Sequence, residues 1–273
     1  MRVPPLLLVG LIFCFAACML MPIMSQYSTL MLMPREWKRL TLSTGECLRI
    51  RSKHHFVLVG GPHRGGTTLL WRLLAHHQEV SAFAEGVDSD FSEGSFLQTV
   101  LPTFGVGMER PGPGMQKVGL GRYALSAQSH MTEAHPLNTD ASSCRLISEW
   151  GFYWNLTKPV LLEKTPTNMV TSRLLQALLA PTASFLFITR HPLAVSLAHQ
   201  RWPCCKSMTI PSLILHWLAS HQWLLADMRH LRHTRVLVYE DLAMRPREVL
   251  ADVLSWLMPR QVVCRPALER SGA

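Results

Sequence analysis

The sequence predicts an α/β fold of three layers, a central parallel β-sheet flanked by helices on both faces. Three observations predict it. Short apolar runs, bounded by glycine, proline or charged residues, recur along the chain and read as buried strands. Between them lie segments whose apolar residues repeat at helical spacing. The first apolar run ends in a glycine-rich turn that opens a helix, which is the first unit of a parallel sheet. With 273 residues, 48% of them hydrophobic, the chain is long enough for one domain with a full core and short for two. Repeats and low-complexity tracts are absent, and the aromatic content of 8% is that of a folded chain.

Taken in order, the elements begin with an apolar segment. After Arg2, residues 3–24 carry no charge over 22 positions, about the length that spans a bilayer as a helix. Residues 1–24 are therefore read as an N-terminal transmembrane helix, a signal anchor. A cleaved signal peptide is the competing reading, since Phe15-Ala16-Ala17 offers small residues after an apolar stretch. The apolar run continues past that point, which favours the anchor. Orientation is weakly determined, because Arg2 competes with Arg35, Lys38 and Arg39 on the other side. Residues 25–52 read as a stem, and residues 53–273 as the globular domain.

Phe56 to Gly60 is the first buried strand, and Thr67 to His77 the helix after it. Residues 86–142 are rich in Gly, Pro, Ser and Asp and read as a long excursion over the active face. Order returns at Leu146 to Tyr153 and at the apolar run Val160 to Lys164. A helix is expected over Thr171 to Leu179, a strand over Phe185 to Thr189, and a long helix over Pro211 to Leu231. A strand over Arg235 to Tyr239 follows. Pro246 to Leu257 closes with an amphipathic helix that has proline in its first turn.

The turn at Gly60-Gly61-Pro62-His63-Arg64-Gly65-Gly66-Thr67-Thr68 carries the chemistry. Glycines at a strand-to-helix turn let the backbone approach an anion, and exposed amides with the helix N-terminus favour phosphate. Thr67 and Thr68 add hydroxyl donors and Arg64 adds charge, so the fold reads as P-loop-like. The nucleotide-triphosphatase pattern G-x-x-x-x-G-K-[ST] is a near miss, because Thr67 stands where its Lys would be. A tight turn without a ligand is the plain alternative for such a loop. Arg190 follows the strand ending at Thr189, and an Arg at the carboxyl end of a parallel strand points toward the crevice where ligands bind. It can hold a second phosphate bidentately. Lys164 also ends an apolar run, so two strands deliver cations to one edge.

These residues resemble the family of sulfotransferases that use 3′-phosphoadenosine 5′-phosphosulfate (PAPS). The likeness is to its membrane-anchored Golgi branch, the glycan and protein-tyrosine sulfotransferases. Pro62 to Thr68 resembles the family's 5′-phosphosulfate loop with one extra residue. Phe187 to Ser196 resembles its 3′-phosphate segment, an apolar strand followed by R-x-P. Lys164-Thr165-Pro166 is similar to the K-[SD]-P stretch between them, and Tyr239-Glu240-Asp241-Leu242 to its Y-E-D-L segment. The four stand in family order over residues 56–257. The resemblance implies PAPS as sulfate donor, no metal, and these roles by position. Arg64, Gly65, Gly66, Thr67 and Thr68 hold the 5′-phosphosulfate, and Lys164 contacts the bridging oxygen. Arg190 binds the 3′-phosphate, and Tyr239 lines the same end. Glu85 is the general base, with Glu93 the runner-up. The family's Ser eight residues beyond the 3′-phosphate Arg is replaced by Ala198, and Ser196 is the substitute candidate.

A net charge of +9, from 27 Lys and Arg against 18 Asp and Glu, suits an anionic cofactor or glycan. The cations are scattered and no nucleic-acid signature appears. Asn155-Leu156-Thr157 is a glycosylation sequon. Of the seven Cys, two lie in the apolar N-terminal run, and the other five allow up to two disulfides of undetermined pairing. The expectation is a single-pass type II Golgi membrane protein with a luminal catalytic domain, acting on a glycan or glycoprotein. Protein-tyrosine sulfation, an inactive PAPS-binding relative and a P-loop kinase are the alternatives. The missing Lys of the triphosphatase pattern speaks against the kinase.

Overall fold

The computed structural model describes residues 38–84, 93–103, 119 and 121–258. Five strands form one wholly parallel sheet: β1 (His55–Gly60), β2 (Val80–Ala82), β3 (Val160–Lys164), β4 (Ala183–Thr189) and β5 (Thr234–Val238). Their order is β2-β3-β1-β4-β5. Register runs Val59 opposite Lys164 on one side of β1, and Gly60 opposite Phe187 on the other. The chain leaves β1 toward β3 on one side and later returns to add β4 and β5 on the other. Ligand sites of parallel sheets form outside the carboxyl ends of the strands at such a reversal.

The sheet is covered on both faces because its strands alternate two apolar sets. Phe56, Leu58, Leu161, Phe185 and Phe187 pack with α3 (Asp140–Gly151) and α4 (Asn168–Leu179), in a core that includes Trp150 and Trp154. Val57, Val59, Leu162, Leu186 and Ile188 pack against α2 (Thr67–Ala75) and the closing helix Pro246–Leu257. Every strand of β1, β3 and β4 is thus buried twice, which is why these segments read as continuous apolar runs rather than alternating ones.

Several elements depart from expectation. The segment read as stem contains α1 (Thr44–Lys53), started by a capping box in which Ser43 and Glu46 satisfy each other's backbone amides. This helix lies on α3 and is tied to it by the disulfide Cys47–Cys144, so the packed domain begins before residue 53. Residues 192–200, unassigned in sequence, form α5 (Pro192–Gln200), and the long helix is α6 (Ile210–Met228). Tyr239 does not end a strand; it opens α7 (Tyr239–Met244), where Glu240 and Asp241 suit the helix N-terminus. The closing helix, α8, has the expected bounds, Pro246–Leu257. Of the excursion, residues 93–103 and 121–139 are turns and short 3₁₀ segments. Among the described residues no helix is long and apolar enough to cross a membrane; the expected anchor, residues 1–24, lies outside them.

Candidate active site

The loop between β1 and α2 is shaped by backbone choices that only certain residues accept. Gly66, the residue before α2, has φ 105°, and a Cβ there would stand 2.4 Å from the Tyr239 ring. Glycine is therefore required for two reasons, handedness and space. Arg64 also sits at positive φ, 65°, an uncommon conformation that clusters at functional turns. The Gly65 amide donates to the Pro62 carbonyl at 2.8 Å and closes the turn. Thr67 is buried and Thr68 exposed at the N-terminus of α2.

Arg190, directly after β4, crosses to this loop. Its Nη1 donates to the Arg64 carbonyl at 3.1 Å, and its guanidinium lies 4.3 Å from the Tyr239 ring centroid. The indole of Trp217 on α6 donates to the Arg190 carbonyl at 3.2 Å and fixes its backbone. The Arg64 guanidinium in turn lies 4.9 Å from the ring of Trp202. Arg64, Gly66, Arg190 and Tyr239, four residues singled out in sequence, thus form one contiguous surface. Strands β1 and β4 are neighbours, so the two arginines stand at the carboxyl edge where the sheet reverses.

The third cation arrives on β3, the other neighbour of β1. Lys164 is fully buried, and its Nζ donates to Glu93 Oε1 at 3.0 Å. Burial pushes the Glu93 carboxyl above its ordinary value, while the Lys164 charge and hydrogen bond pull it down. Glu93, the runner-up base, is thereby placed against the lysine; Glu85, the first choice, lies outside the described residues. Ser196 sits on the inward face of α5, fully buried, with an unpartnered hydroxyl. Among the described residues no hydrogen bond joins it to Arg190, and it lies in the second turn of the helix that begins two residues after Arg190. Asn155 is exposed, and its Oδ1 accepts from the Thr157 amide at 3.0 Å and the Thr157 hydroxyl at 2.8 Å.

The sequence did not mark a set of imidazoles beneath the loop. His63, between Pro62 and Arg64, is buried with its ring 5.8 Å from that of His199 and 5.7 Å from that of Tyr123. Tyr123 meets His216 edge-on at 4.5 Å. Nδ1 of His63, Nε2 of His199 and both nitrogens of His216 have no hydrogen-bond partner among the described residues. Burial drives all three histidines below their ordinary value, His199 to about 4 and His216 to about 3. They come from the loop, α5 and α6, so no local spacing announces them. Among the described residues no group of three or more His, Cys, Asp or Glu is arranged to hold a metal ion.

Residues 57–258 match the family described as "Sulfotransferase family". The chain belongs to the sulfotransferase family. Among solved structures it is similar to the sulfotransferase STF1 of Mycobacterium tuberculosis H37Rv, with 16% identity and a TM-score of 0.50 over 78% of this chain and 69% of that one. The sulfotransferase domain from the curacin biosynthetic pathway matches at 18% identity and TM-score 0.45, over 75% and 73% of the two chains. That of the olefin synthase of Synechococcus PCC 7002 matches at 20% and 0.45, over 82% and 75%. At these identities the likeness is one of fold. No curated protein matches the chain. Membership in the sulfotransferase family replaces the kinase alternative and agrees with the missing lysine in the loop.

Proposed function

We propose that this sulfotransferase moves a sulfuryl group from PAPS to a hydroxyl or amino group of a glycan in the secretory pathway. The observation that carries the donor is the convergence of Arg64, Arg190 and Tyr239 on one glycine loop. A ligand with two anionic groups fits two arginines that stand beside one loop. Arg64, with the Gly66 amide and the hydroxyls of Thr67 and Thr68, would hold the 5′-phosphosulfate, while Gly65, whose amide closes the turn onto Pro62, would shape the loop. Arg190 would hold the 3′-phosphate, with Tyr239 beneath it.

We take Glu93 as the base, because its carboxylate stands 3.0 Å from Lys164. The acceptor oxygen gives its proton to the Glu93 carboxylate and attacks sulfur. The bond from sulfur to the bridging oxygen breaks, and Lys164 donates to that departing oxygen. The products are the sulfated acceptor and adenosine 3′,5′-bisphosphate. The Lys164–Glu93 pair gives this step an order. Burial raises the Glu93 carboxyl, and while Lys164 faces it the lysine charge and hydrogen bond oppose that rise. When Lys164 turns to the leaving oxygen, burial remains and the compensating charge goes, so Glu93 becomes the stronger base.

Three features support a luminal setting. Disulfides persist in oxidising compartments, and Cys47–Cys144 is bonded. The Asn155 sequon is exposed with its threonine folded onto the asparagine side chain. The apolar run over residues 3–24 supplies an anchor. The charge of +9 suits an anionic polysaccharide acceptor. The sealed Ser196 favours a second reading, a PAPS-binding relative without turnover.

Thermal unfolding of the protein with adenosine 3′,5′-bisphosphate tests the donor site. A shift is expected in the native protein and should vanish in Arg64→Ala and in Arg190→Ala. A folded native sample that shows no shift overturns the reading. A shift without transfer from labelled PAPS to any glycan or tyrosine peptide favours the binding protein.

A further inference from the structure

Glu163 has no part in the chemistry proposed above, yet it is a charged side chain with 1% exposure at the end of a central strand. Buried carboxylates are expensive unless several donors satisfy them. Its donors come from three directions. The Gly94 amide donates to Oε1 at 3.1 Å, and the Thr165 hydroxyl donates to the same oxygen. Asn168 Nδ2 donates to Oε2 at 2.7 Å and reaches the Val59 carbonyl at 3.0 Å, one residue before the glycine pair that opens the loop.

These bonds lock the segment that carries Glu93. Residues 93–95 run beside residues 163–165. Glu93 meets Lys164, Gly94 meets Glu163, and the Ser95 amide donates to the Thr165 hydroxyl at 3.0 Å. From the far side Trp150 Nε1 donates to the Gly94 carbonyl at 2.9 Å. The approach leaves no slack, since a Cβ on Gly94 would stand 2.5 Å from Glu163 Oε1. One carboxylate therefore fastens the base segment, the strand bearing Lys164 and the strand entering the loop.

We propose that Glu163 is a positioning residue for sulfuryl transfer, setting where the Glu93 carboxylate stands against Lys164 and the donor loop. The inference rests on the reading of Glu93 as base. It predicts a loss of turnover without a loss of donor binding, because the loop's arginines do not touch Glu163. Burial pushes the Glu163 carboxyl up to about 7, with the hydrogen bonds from Thr165 and Asn168 opposing it, so the site keeps this acid at a sustained energetic cost. A site that only needed filling would hold an apolar residue.

The test compares Glu163→Gln and Thr165→Val with the full-length native protein. Labelled PAPS is the donor, with desulfated heparan sulfate, chondroitin and an acidic tyrosine peptide as acceptors. Turnover should fall about a hundredfold, the consequence of roughly 1 Å of misplacement, with KM for PAPS and bisphosphate binding within about twofold of native. In a Glu93→Gln background, Glu163→Gln should add nothing further, which a merely structural residue would not obey. Native turnover in Glu163→Gln overturns the proposal, as does a fall in turnover matched by a fall in bisphosphate binding. If Glu163→Gln does not fold, Thr165→Val decides by the same criteria. A native protein that transfers nothing overturns the functional reading, and the positioning role falls with it. A native protein that transfers normally beside an unaffected variant overturns the positioning role alone.

Discussion

A lysine sealed inside a protein keeps its charge only beside an acid, and an acid sealed beside it keeps its own charge only while the lysine stays. Lys164 and Glu93 are such a pair, 3.0 Å apart at the carboxyl end of β3. Replacing one partner removes a charge that the other faces in a buried site, so the choice of substitution matters. Glu93→Gln keeps the shape and a hydrogen-bond acceptor for Lys164 while removing the proton acceptor. Turnover should fall about 10²–10⁴-fold, the usual contribution of a positioned base. The shift produced by adenosine 3′,5′-bisphosphate should remain, since Arg64, Arg190 and Tyr239 are untouched. Normal turnover in Glu93→Gln would return the base to Glu85. Residue chemistry was partly legible here. Arg64, Lys164 and Arg190 could be picked out because each ends a strand or occupies a glycine turn. Glu163 and the imidazoles His63, His199 and His216 could not, because their roles come from neighbours far away in the chain.

At the scale of elements, the long apolar runs of β1, β3 and β4 were readable because both faces of each strand are buried. The closing helix was readable to the residue because proline opens it and its apolar stripe is regular. Three of those that were not show why. Strand β2 has three residues, Val80-Ser81-Ala82, too few to show a period. Helix α5 is short, and its buried face presents Ser196 and His199 beside Val195, so polarity hides the pattern. Helix α1 carries one buried residue, Cys47, and looks like a stem because the disulfide and the partly buried Ile50 attach it without a regular apolar stripe. That attachment can be measured. Cys47 and Cys144 are 97 residues apart, and a bridge closing so long a loop restricts the unfolded chain strongly. The double substitution Cys47→Ser with Cys144→Ser should lower the unfolding free energy by about 2–4 kcal/mol in denaturant titration. Reduction of the native protein should give the same change. A loss within error of zero would mean that α1 is held by its other contacts, such as Arg51 with Asp140 and Ser143.

The molecule as a whole carries two opposed sets of buried titratable groups, and their balance fixes how stability responds to pH. His63, His199 and His216 stay neutral in the fold because burial opposes their charged form, and His55 does so at the far end of the sheet, with a value near 4. Unfolded, each titrates near 6.5. Above that pH both states are neutral and the full stability is present. As pH falls below 6.5 the unfolded chain takes up protons that the fold refuses, and stability is lost until about 4 for His199 and about 3 for His216. Glu163 works in the opposite sense. Its folded value, about 7, lies above the unfolded 4.5, so its contribution is complete below 4.5 and is lost as pH rises through 7. Glu93, also raised, has the same sign. Between pH 4.5 and 6.5 these four histidines, joined by His135, His221 and His233, which burial also lowers, oppose two carboxyls, each group contributing a slope of about 1.4 kcal/mol per pH unit at most. The histidines prevail, so the unfolding temperature should fall from pH 6.5 toward pH 4.5. His216→Phe removes one of the four and keeps an aromatic ring against Tyr123. Its unfolding temperature should fall less steeply over that range than the native protein's. Parallel slopes would mean that His216 does not resist protonation in the fold.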